Sequence, residues 1–481
     1  MGLSVVVLAA GEGKRFRSAL PKPLHPLAGR PLLWHVLAAA AGLGADRTVV
    51  VIGRGADEVG VAVSSFDLGQ VEFAVQRELR GTGDALATAV PSLPPDGEVL
   101  VLYGDTPLVT TATLERLLGA HRGASAQATI LTCTMADPTG YGRVLRGADG
   151  AVAGVVEERD ASAQQRAITE INAGSYVFQR PVLDALALLR ADNGQNELYL
   201  PDLLPMVLEE GGQVAASSAP PEEVQGVNDR AQLAEAGAVL RRRTLGRLLE
   251  AGVTVVDPAT AYVDVDVEVG TDTVLEPLVF LEAGTRVGEG CRIGPNARLV
   301  ACTVADGATV TQTVGVQAIV GPGAIVGPFA YLRPGAELGP RSKVGTYVEV
   351  KKSRIGAGSK VPHLTYVGDA ELGEGVNVGA GVVFVNYDGV AKHRTVVGDG
   401  AFIGSDTMLV APLTVGDGAQ TGAGSTITKD VPSGALAIER ADQRTIEGWV
   451  ARRRGRAGRD HGSDHEQPDH RDDSGSRGGE R

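Results

Sequence analysis

With 481 residues, 43% of them hydrophobic, the chain exceeds what one core usually serves and can fill at least two domains. A formal charge of -13, from 58 acidic against 45 basic residues, argues against a general nucleic-acid or anionic-membrane surface and leaves local basic pockets for small anionic ligands. Cys133, Cys291 and Cys302, an odd count without a C-x-x-C pair, make neither a disulfide framework nor a structural zinc site, and point to a reducing, cytoplasmic setting.

The chain opens with the apolar run Leu3 to Ala10, which lacks a preceding basic region and leads into a glycine-rich loop, so it reads as a buried strand rather than a signal peptide. No run reaches the length of a membrane-spanning helix. Up to about residue 228, short Val/Leu runs (Val5 to Leu8, Val49 to Ile52, Val99 to Tyr103) alternate with helical stretches (Leu32 to Ala41, Thr111 to Leu118). That alternation predicts an α/β, Rossmann-like domain with a mostly parallel sheet covered by helices.

Leu8-Ala9-Ala10-Gly11-Glu12-Gly13-Lys14-Arg15 follows the first strand, and its glycines let backbone N–H groups approach a phosphate while Arg15 supplies charge. Phe16 stands where the dinucleotide fingerprint needs its third glycine, and no Lys-Ser/Thr pair makes a Walker loop. Taken alone the segment reads equally as a tight strand-to-helix turn. Lys22 on a stiffened Pro21-Lys22-Pro23 loop, Gln76 beside Gly81-Thr82-Gly83, and Gly104-Asp105 at the end of a very apolar strand add further polar groups. A carboxylate beyond the carboxyl end of a parallel strand is well placed to hold Mg²⁺ against a triphosphate, although Asp105 also suits a plain turn.

Residues 229–252 contain no proline, are rich in Ala, Leu and Arg, and put Leu233, Leu240, Leu245 and Leu249 near one stripe, which predicts a connecting helix. From 253 to 451 a six-residue beat takes over. Val269, Leu275, Leu281, Val287, Ile293 and Leu299 fall six apart, as do Val397, Ile403, Leu409, Val415, Thr421 and Ile427. Between them run Val320, Val326, Leu332, Leu338, Val344 and Val350, with one-residue slips near 304, 355 and 372. This is the hexapeptide signature of a parallel β-helix, with roughly 18 residues per coil and Gly or a small polar residue at the corners. From 263 to 427 it predicts about nine turns.

Catalysis in such a scaffold must come from residues that break its pattern. Arg333, Lys351 and Lys352 put cations where a solenoid needs none, and Val361 to Tyr366 place His363 in one coil. A lone histidine is more often structural or exposed, and the cations read as well as solvated surface charge. Val385 to His393 interrupts the beat as an excursion, the kind of loop that carries binding groups on a rigid scaffold. From 452 onward alanine is the only aliphatic residue, and eight Arg stand against seven Asp/Glu, so a disordered charged tail is expected over 452–481. His461, His465 and His470 in it have no scaffold to make a metal site.

The order of these motifs resembles that of a known family. Leu8 to Arg15, Lys22, Gln76 to Gly83, Tyr103 to Asp105, Gly140-Tyr141-Gly142-Arg143, Val156-Glu157, Glu170-Ile171-Asn172 and Gly226-Val227-Asn228 are followed by Arg333 to Glu337, Glu349 to Lys352, His363 to Tyr366, Gly368 to Glu371, Asn377 to Gly381 and Asn386 to Gly389. This succession is similar to the bacterial bifunctional N-acetylglucosamine-1-phosphate uridylyltransferases/glucosamine-1-phosphate N-acetyltransferases over about residues 3 to 450. The resemblance implies a uridylyltransferase domain at 1–228, a helical linker at 229–252 and an acetyltransferase domain at 253–451 built as a left-handed parallel β-helix. It further implies a homotrimer, UTP and acetyl-CoA as co-substrates, Mg²⁺ as cofactor, and a place in UDP-N-acetylglucosamine supply for peptidoglycan and the cell wall.

The same resemblance implies residue roles. Leu8, Ala9, Ala10, Gly11, Gly13, Lys14, Arg15 and Lys22 would meet the nucleotide and its phosphates, and Gln76, Gly81 and Thr82 the uracil. Tyr103, Gly104, Gly140, Glu157, Asn172 and Asn228 would meet the sugar-nucleotide, with Asp105 and Asn228 as magnesium ligands. In the second half His363 would be the general base for acetyl transfer. Arg333, Lys351, Tyr366 and Asn377 would hold glucosamine 1-phosphate, and Ala380, Asn386, Tyr387, Ser405, Ala423 and Arg440 would meet acetyl-CoA. Without the family, Ala380, Ser405 and Ala423 read as small residues fitted to coil corners. Val385, where the family commonly has a cysteine, bears on thiol sensitivity more than on catalysis, and the other departures, Pro23 for valine and Phe16 for methionine, touch no proposed reacting group. The competing reading is a single-activity sugar-phosphate nucleotidyltransferase, like related hexose-phosphate adenylyl- and guanylyltransferases, whose β-helix only assembles it.

Overall fold

The computed structural model describes residues 2–460. The N-terminal sheet runs in the order Val214–Ser218, Ala128–Thr134, Glu170–Gln179, Glu98–Tyr103, Leu3–Leu8, Arg47–Ile52, Glu72–Val75, and the hairpin Arg143–Arg146/Val152–Val156 joins it through Glu170–Gln179. All neighbours along this path pair in parallel except Glu170–Gln179, which is antiparallel to both strands beside it. The first strand is buried on both faces, as a central parallel strand must be. Its Val5 and Val7 pack with the helices Leu32–Ala41 and Thr111–Gly123. Val6 points the other way, toward Leu86 of Thr82–Ala89 and Leu203 and Leu204. Both faces are thus covered and ligands are left the carboxyl edge.

The helix Arg230–Glu250 starts at Asp229, whose carboxylate accepts from Gln232 N at 2.9 Å. Its first half buries Ala236 and Leu240 against Phe16, Leu27 and Leu108, and its second half sends Leu245 and Leu248 into the core of the β-helix. The expected stripe needs one correction: Leu249 is exposed, and Leu248 takes its place because Leu240, Thr244 and Leu248 continue the i,i+4 row. One helix therefore belongs to two cores.

From Thr254 to Ala437 the chain winds through three parallel sheets of eleven, ten and nine strands. The ten-stranded sheet, from Tyr262–Val263 to Thr426–Ile427, spans the nine turns that the beat predicts. Leu275 pairs in register with Ile293, eighteen residues on, whereas Val287 with Val304, Leu338 with Ile355 and Ile355 with Leu372 are seventeen apart, which accounts for the three slips. Leu372 meets Val397 only after twenty-five residues, and the surplus is the excursion at 385–394. Thr421, a polar residue in the aliphatic column, is buried and accepts from Gly404 N through its hydroxyl at 2.9 Å.

The corners differ from expectation. One column of corners is made not by glycine but by Leu278, Asn296, Gln312, Phe329, Tyr347 and Leu364, all with left-handed φ between 43° and 60°. Such a conformation disfavours a side chain by roughly 1–2 kcal/mol, and each corner N–H is held by the coil before it, Leu278 N by the Thr260 hydroxyl at 3.1 Å and the others by a backbone carbonyl, such as Phe329 N to Gln312 O at 2.8 Å and Leu364 N to Thr346 O at 2.9 Å. The tail also needs a correction. Residues 452–460, expected to lack structure, continue the helix Trp449–Asp460, in which Arg453 lies over the Trp449 ring at 5.1 Å. A helix satisfies its backbone locally and needs no burial to form one. Residues 461–481, with the three tail histidines, lie outside the described residues.

Candidate functional sites

The first site is a cavity of about 770 Å³ at the carboxyl ends of the central strands. Its wall carries Leu8, Ala9, Ala10, Gly11, Gly13, Lys14, Arg15, Lys22, Gln76, Gly81, Thr82, Tyr103, Gly104, Asp105 and Asn228. The loop after Leu8 is irregular, then closes into a single turn at Lys14–Phe16. Phe16 is buried, its ring packs tilted against that of His25 with centroids 4.5 Å apart, and its carbonyl accepts from Arg230 Nε at 3.2 Å. The residue that broke the dinucleotide fingerprint thus ties the loop to the linker helix. Gly13 has φ +62°, and a Cβ there would lie 2.7 Å from Lys22 Cβ, so the two basic segments can close on each other only over a glycine.

Lys22 Nζ donates to Asp105 Oδ2 at 2.6 Å and to Asn228 Oδ1 at 3.1 Å. A carboxylate and an amide oxygen converge on one cationic point, the hard oxygen donor set that suits Mg²⁺. No group of three His, Cys, Asp or Glu able to hold a metal exists among the described residues. An ion here would complete its shell with substrate phosphates and water, the habit of Mg²⁺. The residues fit the implied cofactor, with the Lys22 ammonium marking the place.

Gln76 is buried and spends its Nε2 on Asp84 Oδ2 at 2.8 Å, leaving Oε1 for a ligand donor. Gly81 has φ +114°, and a Cβ on it would stand 2.5 Å from Leu198 O. That close approach brings Glu197 to the wall, a residue the motifs did not single out. Glu12 and Pro23, from the two loops already named, and Leu79 and Ala85, which carry no sequence signal, complete the wall.

Gly140, Glu157 and Asn172 are not on this wall, and Glu157 and Asn172 connect to it through Tyr103. Asn172 Oδ1 accepts from Gly174 N at 3.0 Å and from the Tyr176 hydroxyl at 2.9 Å, and the Tyr176 ring packs 6.4 Å from that of Tyr103. Gly140 N points at Glu158 Oε2 at 3.4 Å. Burial, then the charge of Glu157, pushes the Tyr103 phenol far above its ordinary pKa, so it stays a donor. Burial also raises the Glu157 carboxyl, with Asp160, Asp202 and Glu197 adding to it and Arg143 opposing. The folded chain then binds a proton more readily than the unfolded one, so stability falls as pH rises from the ordinary carboxylate range through the raised value. Glu157→Gln is therefore expected to exceed the parent in urea midpoint at pH 7.5, with the gap closing near about pH 4; an equal gap at both pH values would contradict this.

The second set lies on the β-helix around the face formed by Tyr366–Gly368 and Val383–Val385. At one corner His363 ends the strand Lys360–His363 and is exposed. Thr365, two residues on, donates to the His363 carbonyl at 2.7 Å and reaches Gly379 O at 3.4 Å, so the Ala380 corner follows on the next coil. There Asp406 N donates to Ala380 O at 2.7 Å, Gly424 N to Ser405 O at 2.8 Å, and Arg440 Nη1 to Ala423 O at 2.8 Å. Ala380, Ser405, Ala423 and Arg440 thus form one column on successive coils.

At the opposite corner Arg333 Nη1 pairs with Glu349 Oε1 at 2.7 Å, and Lys351 Nζ with Asp369 Oδ2 at 2.7 Å. Asn386 Nδ2 donates to the same Asp369 oxygen and to the Tyr366 hydroxyl at 3.3 Å. Tyr387 stays exposed, its hydroxyl on Gly389 O at 2.7 Å. Asn377 is exposed on the strand that follows Lys360 in register, on the His363 side. The implied acetyl-CoA residues therefore divide between two corners rather than meeting in one. Glu349 and Asp369 lie within the quoted motifs but received no role from the sequence, because a carboxylate near a coil corner looks like any solvated charge.

Residues 5–200 match the MobA-like NTP transferase domain. A curated relative from Kineococcus radiotolerans, "Bifunctional protein GlmU", is 53% identical over 94% of this chain and 92% of its own length. Proteins of the same name from Thermobifida fusca and Mycolicibacterium gilvum are 52% and 53% identical over 94% of this chain, and 94% and 92% of their own lengths.

Proposed function

The chain belongs to the bifunctional GlmU family, and from that premise we propose how its residues divide the two reactions. It is a nucleotidyltransferase and an acyltransferase in one polypeptide, making UDP-N-acetylglucosamine by N-acetylation of glucosamine 1-phosphate and uridylyl transfer to the product. The single-activity alternative is disfavoured, since relatives called bifunctional align with both halves.

The carrying observation is that the chain holds two separate lysine–aspartate–asparagine clusters, Lys22/Asp105/Asn228 in the cleft and Lys351/Asp369/Asn386 on the β-helix. In each, a cation suited to a phosphate is kept near a carboxylate until substrate arrives.

In the cleft a phosphate oxygen of N-acetylglucosamine 1-phosphate attacks the α-phosphorus of UTP in line, the bond to the β-phosphate oxygen breaks, and pyrophosphate leaves. Lys22 and Arg15 neutralise charge on the phosphates, the glycine loop supplies N–H donors, and Gln76 reads the uracil edge. Asp105 and Asn228 hold Mg²⁺, which when bound supplies charge stabilisation to the reacting phosphates. No base is needed, because the attacking phosphate is already ionised.

On the β-helix His363 takes a proton from the amine of glucosamine 1-phosphate as its nitrogen attacks the thioester carbon of acetyl-CoA, forming the amide and releasing CoA. Arg333, Lys351, Tyr366 and Asn377 hold the sugar phosphate. The Ala380–Ser405–Ala423–Arg440 column, with Asn386 and Tyr387, takes acetyl-CoA. We assign the assembly as a homotrimer. The exposed corner ridge of Leu278, Phe329, Tyr347 and Leu364, which begins beside His363, supports an apolar contact between copies. No helix among the described residues is long and apolar enough to cross a membrane. A cytoplasmic location is our reading, supported by three free, buried cysteines.

The test is an assay of the full chain with glucosamine 1-phosphate, acetyl-CoA, UTP and Mg²⁺, following CoA and pyrophosphate separately. Adding EDTA is expected to stop pyrophosphate release and spare CoA release, from a particle with the mass of three chains by light scattering. Pyrophosphate release without divalent cation, absent CoA release, or a monomer would each overturn the corresponding part.

A further inference from the structure

Asp369 sits where the two halves of the proposed acetyl-transfer site meet. Its Oδ2 accepts from Lys351 Nζ at 2.7 Å, which we assign to the sugar phosphate, and from Asn386 Nδ2, which we assign to acetyl-CoA. Asn386 in turn donates to the Tyr366 hydroxyl at 3.3 Å. These groups come from three successive coils, with Lys351 in register with Gly368 and Tyr366 with Val383.

The local backbone is shaped to bring them together. Asp369 itself has φ +49°, a left-handed conformation that aspartate tolerates better than most residues, and its N–H donates to Lys351 O at 3.0 Å. A Cβ on Gly368 would lie 2.4 Å from the Tyr366 hydroxyl oxygen and 2.7 Å from Asn386 Nδ2, so both side chains close over a residue that has none. Lys351 is buried, and Asn386 is 8% exposed. Such groups are costly to leave unpaired, and Asp369 pairs both.

The charges favour the same arrangement. Burial works against a charged Lys351, but the Asp369 carboxylate outweighs it and keeps the ammonium above its ordinary pKa. Lys392, on the excursion, is lowered by the hydrogen-bonding and charge of Lys351 beside it. Without Asp369 two lysines would face each other with no anion between them.

We propose that Asp369 is a positioning residue that holds Lys351 and Asn386 on one carboxylate oxygen, so that the sugar-phosphate and acetyl-CoA sites are organised together. The inference rests on the division of roles set out above. It assigns Asp369 no contact with either substrate: the side chain acts through its two partners.

The test is steady-state acetyl transfer by full-length variants, with uridylyl transfer as the control for folding. Asp369→Ala is expected to raise KM for both glucosamine 1-phosphate and acetyl-CoA by about tenfold each. Asp369→Asn keeps an oxygen for Asn386 but no charge for Lys351, and is expected to raise only the glucosamine 1-phosphate KM. A rise in that KM alone with Asp369→Ala would reduce Asp369 to a counter-ion of Lys351 and overturn the proposal, as would no change in either KM.

Should Asp369→Ala also lose uridylyl transfer, and so misfold, Asp369→Asn decides. Its effect must then vanish in a Lys351→Ala background, and an effect that persists there counts against the proposal. Failure of the underlying reading looks different. In that case Lys351→Ala leaves the glucosamine 1-phosphate KM unchanged and Asn386→Ala leaves the acetyl-CoA KM unchanged, while the parent enzyme acetylates normally.

Discussion

Asp105→Ala is expected to lower pyrophosphate release from UTP and N-acetylglucosamine 1-phosphate by about a thousandfold or more, with CoA release from the other site unchanged. The size follows from the several kcal/mol of charge stabilisation that a metal supplies to transferring phosphates, at about 1.4 kcal/mol per tenfold in rate. Two losses combine in this variant. The carboxylate proposed to hold the ion is gone, and Lys22 keeps only the Asn228 oxygen at 3.1 Å of the two that now fix it. Raising Mg²⁺ is expected to recover little, since an amide oxygen alone is a poor site for a cation that keeps its waters tightly. Pyrophosphate release within tenfold of the parent would remove Asp105 from the mechanism. Restoration by Mg²⁺ to the parental rate would leave it a minor ligand.

His363→Ala is expected to cut CoA release by about 10²- to 10⁴-fold, the usual weight of a positioned general base, while pyrophosphate release from supplied N-acetylglucosamine 1-phosphate stays at the parental rate. The imidazole is exposed at the end of its strand, and what holds the residue is backbone: its register with Thr346 and the Thr365 hydroxyl on its carbonyl. Removing the ring therefore disturbs no contact that holds the coil, which makes the variant a clean probe of chemistry. A fall in kcat with little change in either KM is the expected signature of a group that acts on the proton rather than on binding. A parental kcat, or a loss confined to KM, would show that the base lies elsewhere.

Much of this architecture was legible because its information is local. A six-residue period needs no knowledge of distant partners: each inward aliphatic residue, from Leu275 to Ile427, meets the equivalent residue one coil away simply because the coil is uniform. Three of the short steps and the excursion were legible for the same reason, as departures from a count, whereas the five-residue steps to Gly315 and Val320, which bring Val304 against Val320 after sixteen residues, were not. The phosphate loop was legible because glycine marks places where a side chain cannot fit, and Gly13 does lie against Lys22. The bulky corner column was not, because nothing local favours left-handed φ at Phe329, Tyr347 or Leu364. The coil-to-coil hydrogen bonds impose it. Leu248 against Leu249 was a matter of one residue in helical phase, decided by which core the helix leans on.

Taken by itself, the sequence determined the division into an α/β domain, a helix and a β-helix, and the residue types able to handle phosphates and to move a proton. Only the tertiary structure decided which of them meet. Lys22 reaches Asn228 across 206 positions, Glu197 arrives at the cleft through the Gly81–Leu198 contact, and Asp369 joins Lys351 to Asn386 across two coils. The physical reason is that propensity and periodicity act over a few residues, whereas a site is a set of distances fixed by ladder register and packing between segments far apart in the chain.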